Sequence, residues 1–79
     1  MVSIVLFQFE ECPYCAKVRA KLEEKGLRYE KVNVSSNRDD PLRKELFEKT
    51  NVHTVPVIKV GEIYIGDSGR IIQYLHETF

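Results

Sequence analysis

The sequence has few of the residues that build metal sites, and it has no excess of charge. Its 79 residues include two cysteines and two histidines, which disfavours a zinc site because such sites usually take four ligands. Twelve basic and twelve acidic side chains cancel, so the net charge gives no support for a nucleic-acid or acidic-membrane partner. No apolar run is long enough to span a membrane, and no signal-peptide pattern follows the short apolar start. We therefore expect a single domain over residues 1–79.

What the sequence does have is one Cys-x-x-Cys motif, Cys12-Pro13-Tyr14-Cys15, between an apolar run and a helical pattern. Residues i and i+3 of a helix share one face, so the two sulfurs can bond with little backbone change. If Cys12 caps the helix and Pro13 takes its first position, unpaired N–H groups and the helix dipole stabilise a Cys12 thiolate. Cys15 lies one turn inside and should be more buried. The pair predicts an attacking thiol and a resolving thiol.

Two other interpretations of the motif remain open. The cysteines could form half of a zinc site with His53 and His76, or they could be small core residues. A proline at the helix start argues against ordinary core cysteines, and so short a ring would be a poor structural staple. A single Cys-x-x-Cys in a chain without an export signal is typical of a redox-active pair in the cytoplasm. We therefore predict a cytoplasmic redox enzyme.

The apolar spacing predicts seven elements in the order β-α-β-α-β-β-α. They are a strand at 2–7, a helix at 13–25, a strand region at 27–34, a helix at 41–50, a hairpin at 55–65 and a final helix capped by Asp67 or Ser68. The first two strands should be parallel, whereas the hairpin is antiparallel. This order predicts an α/β fold of the thioredoxin-like type, with a four-stranded mixed sheet and three helices.

Three stretches should converge at one end of this sheet: Cys12, Thr54-Val55-Pro56 and Gly66-Asp67-Ser68. Pro56 could be only a strand-edge proline, and the Asp67-Ser68 pair could be only a helix cap. A cis Pro56 would instead leave the Val55 backbone free to pair with an extended peptide, and a helix N-terminus would offer N–H groups to a carboxylate. Together the three stretches predict a binding site for a small thiol peptide.

The dithiol motif, Thr54-Val55-Pro56 and the element order resemble those of the glutaredoxins over essentially the whole chain. The resemblance implies that Cys12 is the nucleophile and Cys15 the resolving thiol. It also implies that Val55 pairs with the backbone of the glutathione cysteine and that Pro56 is cis. The other substrate-binding residues that it implies are Pro13, Tyr14 and Thr54.

Two further likenesses concern the last helix and the segments around the motif. Asp67-Ser68 and the residues up to Leu75 are similar to the N-terminal domain of glutathione transferases, where an acidic residue and a serine hold the γ-glutamyl end of glutathione. Residues 6–9 and 16–20 are similar to the glutaredoxin-like domain of the type 2 prostaglandin E synthase. These likenesses imply a free-standing glutaredoxin of the transferase-like branch.

The chain departs from the glutaredoxin pattern just before the motif. Phe9 stands where glutaredoxins usually carry a lysine, and Glu10 and Glu11 follow it. Like charge raises the pKa of a group that forms an anion, so the two glutamates should oppose ionisation of Cys12. The usual Gly-Gly pair before the last helix is also reduced to Gly66 followed by Asp67.

The leading hypothesis is a monomeric, glutathione-linked thiol–disulfide oxidoreductase that reduces protein disulfides or glutathionylated cysteines. Glutathione is then a co-substrate, and no cofactor is permanently bound. One alternative is a dithiol redoxin reduced by a thioredoxin-reductase-like protein, which Phe9, Glu10 and Glu11 favour. Another alternative is an iron–sulfur carrier that bridges two chains through Cys12 and glutathione.

Overall fold

Seven elements follow one another in the predicted order in the computed structural model, which describes residues 3–35, 37, 39–52 and 55–79. They are β1 (Ile4–Gln8), α1 (Pro13–Glu24), β2 (Glu30–Asn33), α2 (Pro41–Thr50), β3 (Val57–Val60), β4 (Ile63–Gly66) and α3 (Ser68–Thr78). The predicted four-stranded, three-helix fold is confirmed. Among the predicted site residues, Thr54 lies outside the described residues.

The four strands form one mixed sheet in the order β2-β1-β3-β4. β1 runs parallel to β2, and β3 and β4 form an antiparallel hairpin, both as predicted; β1 also runs antiparallel to β3. Gly61 at the hairpin turn has φ of +62°, a conformation that glycine adopts without steric cost. β3 begins at Val57 rather than Val55 because Pro56 has no N–H to donate to the sheet. β2 is likewise shorter than the predicted region.

Alternate residues of the central strands divide the apolar core between the two faces of the sheet, as the two-residue period of a strand requires. One face packs against α1 and α3, and its buried residues are Ile4, Leu6, Val18, Leu22, Ile58, Val60, Ile71 and Leu75. The other face packs against α2, and its buried cluster is Phe7, Cys15, Val34, Leu46, Val55 and Val57. Cys15 therefore belongs to the core on the α2 face, although it lies on α1.

The register of the sheet brings three chain segments to one end. Phe7 in β1 lies opposite Val57 in β3, and Val57 lies opposite Gly66 in β4. The end of β1, the start of β3 and the end of β4 are therefore neighbours. The first turns of α1 and α3 follow directly from β1 and β4, so both helix N-termini lie near this end. In the described part of the chain, no helix has the length and apolar character needed to span a membrane.

Candidate active site

The first helix begins at the dithiol motif in the way that its sequence predicts. Cys12 is the N-cap residue with extended backbone (φ −76°, ψ 122°), and Pro13 occupies the first helical position. Pro13 fits there because its fixed φ is helical and its missing N–H would have had no partner. Both thiols are free; Cys12 is partly exposed and Cys15 is fully buried. An incoming disulfide can therefore reach Cys12 but not Cys15.

The environment of Cys12 favours its thiolate. Partial burial acts to raise the pKa of the Cys12 thiol. This effect is outweighed by hydrogen bonds from the N–H and the thiol of Cys15 and from the N–H of Tyr14, and by the charge of Arg19. The pKa is therefore lowered from 9.0. The side chain of Cys12 makes no capping hydrogen bond. The N–H groups of the first turn nevertheless stabilise an anion on its sulfur. Cys12 is thus the more acidic of the two thiols.

The environment of Cys15 has the opposite effect. Burial raises the pKa of the Cys15 thiol to about 11, and the hydrogen bond and negative charge of Cys12 add to that rise. A backbone hydrogen bond from Phe9 and the charge of Arg19 act against it without cancelling it. Desolvation disfavours the charged form of a buried thiol. Cys15 therefore stays protonated while Cys12 ionises, which is the division of labour expected of resolver and attacker.

The segment before β3 carries the predicted cis proline. The Val55–Pro56 peptide bond is cis, which confirms the conformation that the resemblance implied. Val55 and Pro56 are both buried, and Val55 belongs to the same apolar cluster as Cys15. Cys12 packs against that cluster from its partly exposed position. Val55 and Cys12 therefore contact the same apolar cluster.

The start of α3 has an unusual backbone conformation at Asp67. Asp67 is the N-cap residue with φ of +72° and ψ of 125°, and its Oδ2 accepts from the N–H of Arg70 at 3.4 Å. A non-glycine residue with positive φ is uncommon and costs free energy, and such residues cluster at functional sites. The helix cap predicted from the sequence is confirmed, while the strained φ was not predicted.

A groove of about 260 Å³ joins these segments. It is lined by Tyr14, Val55, Pro56, Asp67 and Ser68, five of the predicted site residues. Tyr14 is 57% exposed, and its ring lies 5.5 Å from the Lys17 ammonium group. Cys12, Pro13 and Cys15 do not line the groove themselves; Tyr14, between the two thiols, connects the motif to it. The groove therefore lies beside the dithiol motif.

Phe9 and Glu10, before the motif, contact groups outside it. The aromatic ring of Phe9 is half-buried against the core, and the Arg43 guanidinium carbon lies 5.4 Å from its centre. Glu10 is exposed, and its carboxylate lies 3.9 Å from the ammonium group of Lys31. The charged group with the largest effect on the pKa of Cys12 is Arg19 rather than either glutamate.

Arg19 is the residue that sequence reasoning missed. Its place in the helical pattern suggested an ordinary solvent-facing side chain, yet its guanidinium group acts on both thiols. One signal was available: Arg19 follows Cys15 by four positions, so the two side chains share a helix face. For metal binding, the described residues contain no group of three or more histidine, cysteine or acidic side chains.

Comparisons with known proteins agree with this geometry. A family model described as the glutathione S-transferase N-terminal domain matches residues 6–79. The chain is 33% identical over 64 residues to glutaredoxin 1 of Rickettsia felis, which covers 81% of this chain and 63% of that protein. It is 32% identical over 66 residues to glutaredoxin of Pseudomonas aeruginosa, covering 84% of this chain and 76% of the relative. Prostaglandin E synthase 2 of Danio rerio is 33% identical over 75 residues, which are 94% of this chain but 19% of that protein.

Solved structures show the same two likenesses. Rice GST1 in complex with glutathione superposes with a TM-score of 0.84 and 29% identity, covering 99% of this chain and 33% of the rice chain. The buckwheat glutaredoxin–glutathione complex superposes with a TM-score of 0.81 and 25% identity, covering 96% of this chain and 70% of the buckwheat chain. The protein therefore belongs to the glutathione S-transferase N-terminal domain family and to the glutaredoxins that share its thioredoxin-like fold.

Proposed function

We propose that the protein is a glutathione-linked thiol–disulfide oxidoreductase. The observation that carries the proposal is the pair of opposite environments: a partly exposed Cys12 whose pKa is lowered, and a buried Cys15 whose pKa is raised to about 11. A thiolate is the nucleophile of disulfide exchange, and a protected second thiol can resolve the product. We also propose that the protein works in a reducing compartment such as the cytoplasm, where dithiols of this type are kept active.

The reaction begins when the Cys12 thiolate attacks the glutathione sulfur of a glutathionylated protein. An S–S bond forms between Cys12 and glutathione, the original S–S bond breaks, and the protein thiolate leaves and takes up a proton. A second glutathione thiolate then attacks the glutathione sulfur of this mixed disulfide, which releases oxidised glutathione and regenerates Cys12. One reduced glutathione is consumed: its sulfur joins the glutathione from the substrate as oxidised glutathione, and the substrate protein is released as a thiol, so the thiols and disulfides balance.

With a protein disulfide as substrate, Cys15 has a second use. Cys12 attacks one substrate sulfur and forms a mixed disulfide, and Cys15 then loses its proton and attacks the Cys12 sulfur. The substrate leaves with two thiols, and the Cys12–Cys15 disulfide remains. Two glutathione molecules reduce it and form oxidised glutathione. Because burial holds the proton on Cys15, this thiol stays in reserve until the mixed disulfide has formed.

The groove supplies the binding surface for the tripeptide in this proposal. Two of the similar solved structures, rice GST1 and buckwheat glutaredoxin, are described as glutathione complexes. We infer that the Val55 backbone pairs with the cysteine of glutathione, and that Asp67 and Ser68 hold its γ-glutamyl amino and carboxylate groups. Support comes from Asp67, whose N-cap position presents a carboxylate and the N–H groups of α3 to the groove.

The alternative function keeps the dithiol chemistry but takes electrons from a thioredoxin-reductase-like protein. It is favoured by Phe9, because a half-buried aromatic ring there offers no charge to a glutathione carboxylate. The two functions differ in the reductant and not in the first chemical step. A comparison of reductants on one substrate therefore separates them.

The deciding experiment uses as substrate the mixed disulfide of β-mercaptoethanol and glutathione, which forms when β-hydroxyethyl disulfide reacts with glutathione. We expect rapid turnover with glutathione and glutathione reductase, and little with thioredoxin reductase. Cys12→Ser should abolish turnover, whereas Cys15→Ser should retain the reaction with the glutathionylated substrate. Turnover with thioredoxin reductase alone would establish the alternative, and equal loss in both cysteine variants would show that the monothiol route is not used.

A further inference from the structure

The described residues contain one fully buried polar side chain, that of Gln8 at the end of β1. A buried primary amide without hydrogen-bond partners costs roughly 1–3 kcal/mol or more, so the buried amide of Gln8 needs hydrogen-bond partners. An apolar residue of similar volume would fill the same space without that requirement. Gln8 is also only four residues before Cys12, at the point where β1 leads into the active-site turn. The contacts of Gln8 can therefore influence the turn that carries Cys12.

Gln8 joins three segments of the chain. Its Oε1 accepts a hydrogen bond from Nη1 of Arg19 on α1, and its Nε2 donates to Oδ1 of Asn33 in β2 at 3.0 Å. A guanidinium group has only donors, so Arg19 fixes which end of the amide faces it, and the amide N–H group then faces Asn33. Glutamine satisfies both neighbours, whereas a glutamate could not donate to Asn33.

The same guanidinium group has a second attachment on the active-site side. Nη2 of Arg19 donates to the backbone carbonyl of Glu10 at 3.4 Å. One planar group thus binds the last residue of β1 and the turn that leads to Cys12. The donors of a planar guanidinium group have a fixed geometry, so the group can bind two acceptors at once. The ammonium group of a lysine, on a flexible aliphatic chain, does this less well. The position of the Arg19 charge is therefore fixed by Gln8 and Glu10.

The charged and titratable groups near Cys12 show why that position matters. They include Cys15 and Arg19 on α1 and Glu10 and Glu11 in the preceding turn, while Asp67 lines the groove together with Tyr14. Glu10 is paired with Lys31, and Arg19 contributes positive charge to the environment of both Cys12 and Cys15. A nearby positive charge favours a thiolate, and its effect depends on its distance and burial.

We propose that Gln8 is a positioning residue that holds the Arg19 guanidinium group beside the active-site turn, where its charge stabilises the Cys12 thiolate. Arg19 is the group that acts on the thiolate, and Gln8 acts through it. This inference rests on the proposed function, because stabilising the Cys12 thiolate matters only if Cys12 attacks disulfides. Its own readout is the ionisation of Cys12, which is measured without glutathione or any substrate.

The test measures the pH midpoint of iodoacetamide labelling at Cys12, read by mass spectrometry on the reduced protein. We compare Gln8→Met, Arg19→Met and the double variant Gln8→Met/Arg19→Met. We expect the midpoint to rise in each single variant. In the double variant it should rise no further than in Arg19→Met alone, because a residue that acts through Arg19 has no effect once Arg19 is gone.

Arg28→Met is the matched control, since it removes the same charge from an exposed position beyond the end of α1. Its midpoint should equal that of the unaltered protein. Arg19→Lys should give a midpoint between those of the unaltered protein and Arg19→Met. The reduction potential measured against glutathione buffers should become more negative in Gln8→Met and Arg19→Met, because a thiolate that is less stable disfavours the reduced form.

Asn33→Ala provides a second route if Gln8→Met does not fold, because it removes the other partner of the Gln8 amide from an exposed position. Its midpoint should also rise. Unchanged midpoints in Arg19→Met and Asn33→Ala would overturn the proposal, and so would additive effects in the double variant. Failure of the proposed function would appear separately, as absent glutathione-dependent turnover by the unaltered protein.

Discussion

Two residues of the same type acquire opposite chemistry from their surroundings. Cys12 lies at the open end of a helix, where N–H groups and Arg19 lower its thiol pKa despite partial burial. Cys15 lies three positions further on among apolar side chains, and burial raises its thiol pKa to about 11. The spacing of the motif places both sulfurs on one helix face, but the burial of each sulfur determines which of them ionises.

We expect alkylation of the reduced protein to label Cys12 first. The labelling midpoint of Cys12 should lie below pH 9.0 because its thiolate is stabilised, whereas Cys15 should resist labelling until the pH approaches 11. Iodoacetamide labelling followed by peptide mass spectrometry measures both. Cys12→Ser should leave the protein nearly unreactive at pH 7. Preferential labelling of Cys15 at that pH would reverse the assignment of attacker and resolver.

Asp67 provides a second prediction for a single residue, because its backbone and its carboxylate have separable effects. Asp67→Gly removes the positive-φ strain, and glycine is nearly as good an N-cap as aspartate. We expect the free energy of unfolding to stay unchanged or to rise by about 1 kcal/mol, while calorimetry shows weaker glutathione binding. Asp67→Asn is the control, since it keeps the cap and tolerates positive φ but lacks the charge. Equal glutathione affinity in all three proteins would exclude a role for the carboxylate.

At the scale of elements, the end of α2 and the end of β4 approach each other closely at Gly66. A Cβ at this position would lie 3.1 Å from Cβ of Thr50 and 3.1 Å from Cγ2 of Val52. Thr50 is itself fixed, because its Oγ1 donates to the Leu46 carbonyl at 2.7 Å and accepts from the Val52 N–H at 3.1 Å. The corner that presents Asp67 and Ser68 is therefore held by its contact with α2.

Gly66→Ala should destabilise the fold by about 1–3 kcal/mol, because the added methyl group overpacks a contact with little room to relax. Urea unfolding measures this difference. Gly69→Ala in α3 is the matched control: the added Cβ meets only Oδ2 of Asp67 at 3.4 Å, and alanine favours a helix by up to about 1 kcal/mol. A loss of stability in Gly69→Ala as large as in Gly66→Ala would show that the Thr50–Val52 contact is not the cause.

At the scale of the whole molecule, ionisation of the two thiols couples to folding. The pKa of Cys15 is about 11 in the folded protein against 9.0 for an ordinary thiol, so between these values the unfolded chain loses a proton that the folded protein keeps. Stability contributed by Cys15 is therefore present below pH 9 and lost as the pH rises through about 11. Cys12, whose pKa is lowered, has the opposite sign: stability from it is present above pH 9 and lost as the pH falls through its folded value.

We expect the reduced protein to lose up to about 3 kcal/mol of stability between pH 9 and pH 11 through Cys15. Thermal unfolding in the presence of a reductant, at a series of pH values, measures the decline. The informative quantity is the difference from Cys15→Ser, because that difference isolates the contribution of Cys15. Parallel pH profiles for the two proteins would mean that Cys15 is not desolvated in the folded state.

The sequence by itself determined the features that depend on neighbours along the chain. The Cys-x-x-Cys spacing, the cap at Asp67 and the hairpin turn at Gly61 all follow from residues within a few positions of one another. The element order follows from apolar periodicity for the same reason. The cis bond at Pro56 was a prediction from the family resemblance, since a proline in a strand pattern does not by itself reveal its isomer.

Only the tertiary structure decided the contacts between distant parts of the chain. The hydrogen bonds of Gln8 reach 11 and 25 residues along the chain, and the close approach of Gly66 to Thr50 joins α2 to β4. The same is true of the thiol pKa values, because the burial of Cys15 depends on side chains from β1, β3 and α2. Local propensities set which elements form; the register of the sheet sets which side chains meet, and that register exists only in the folded chain.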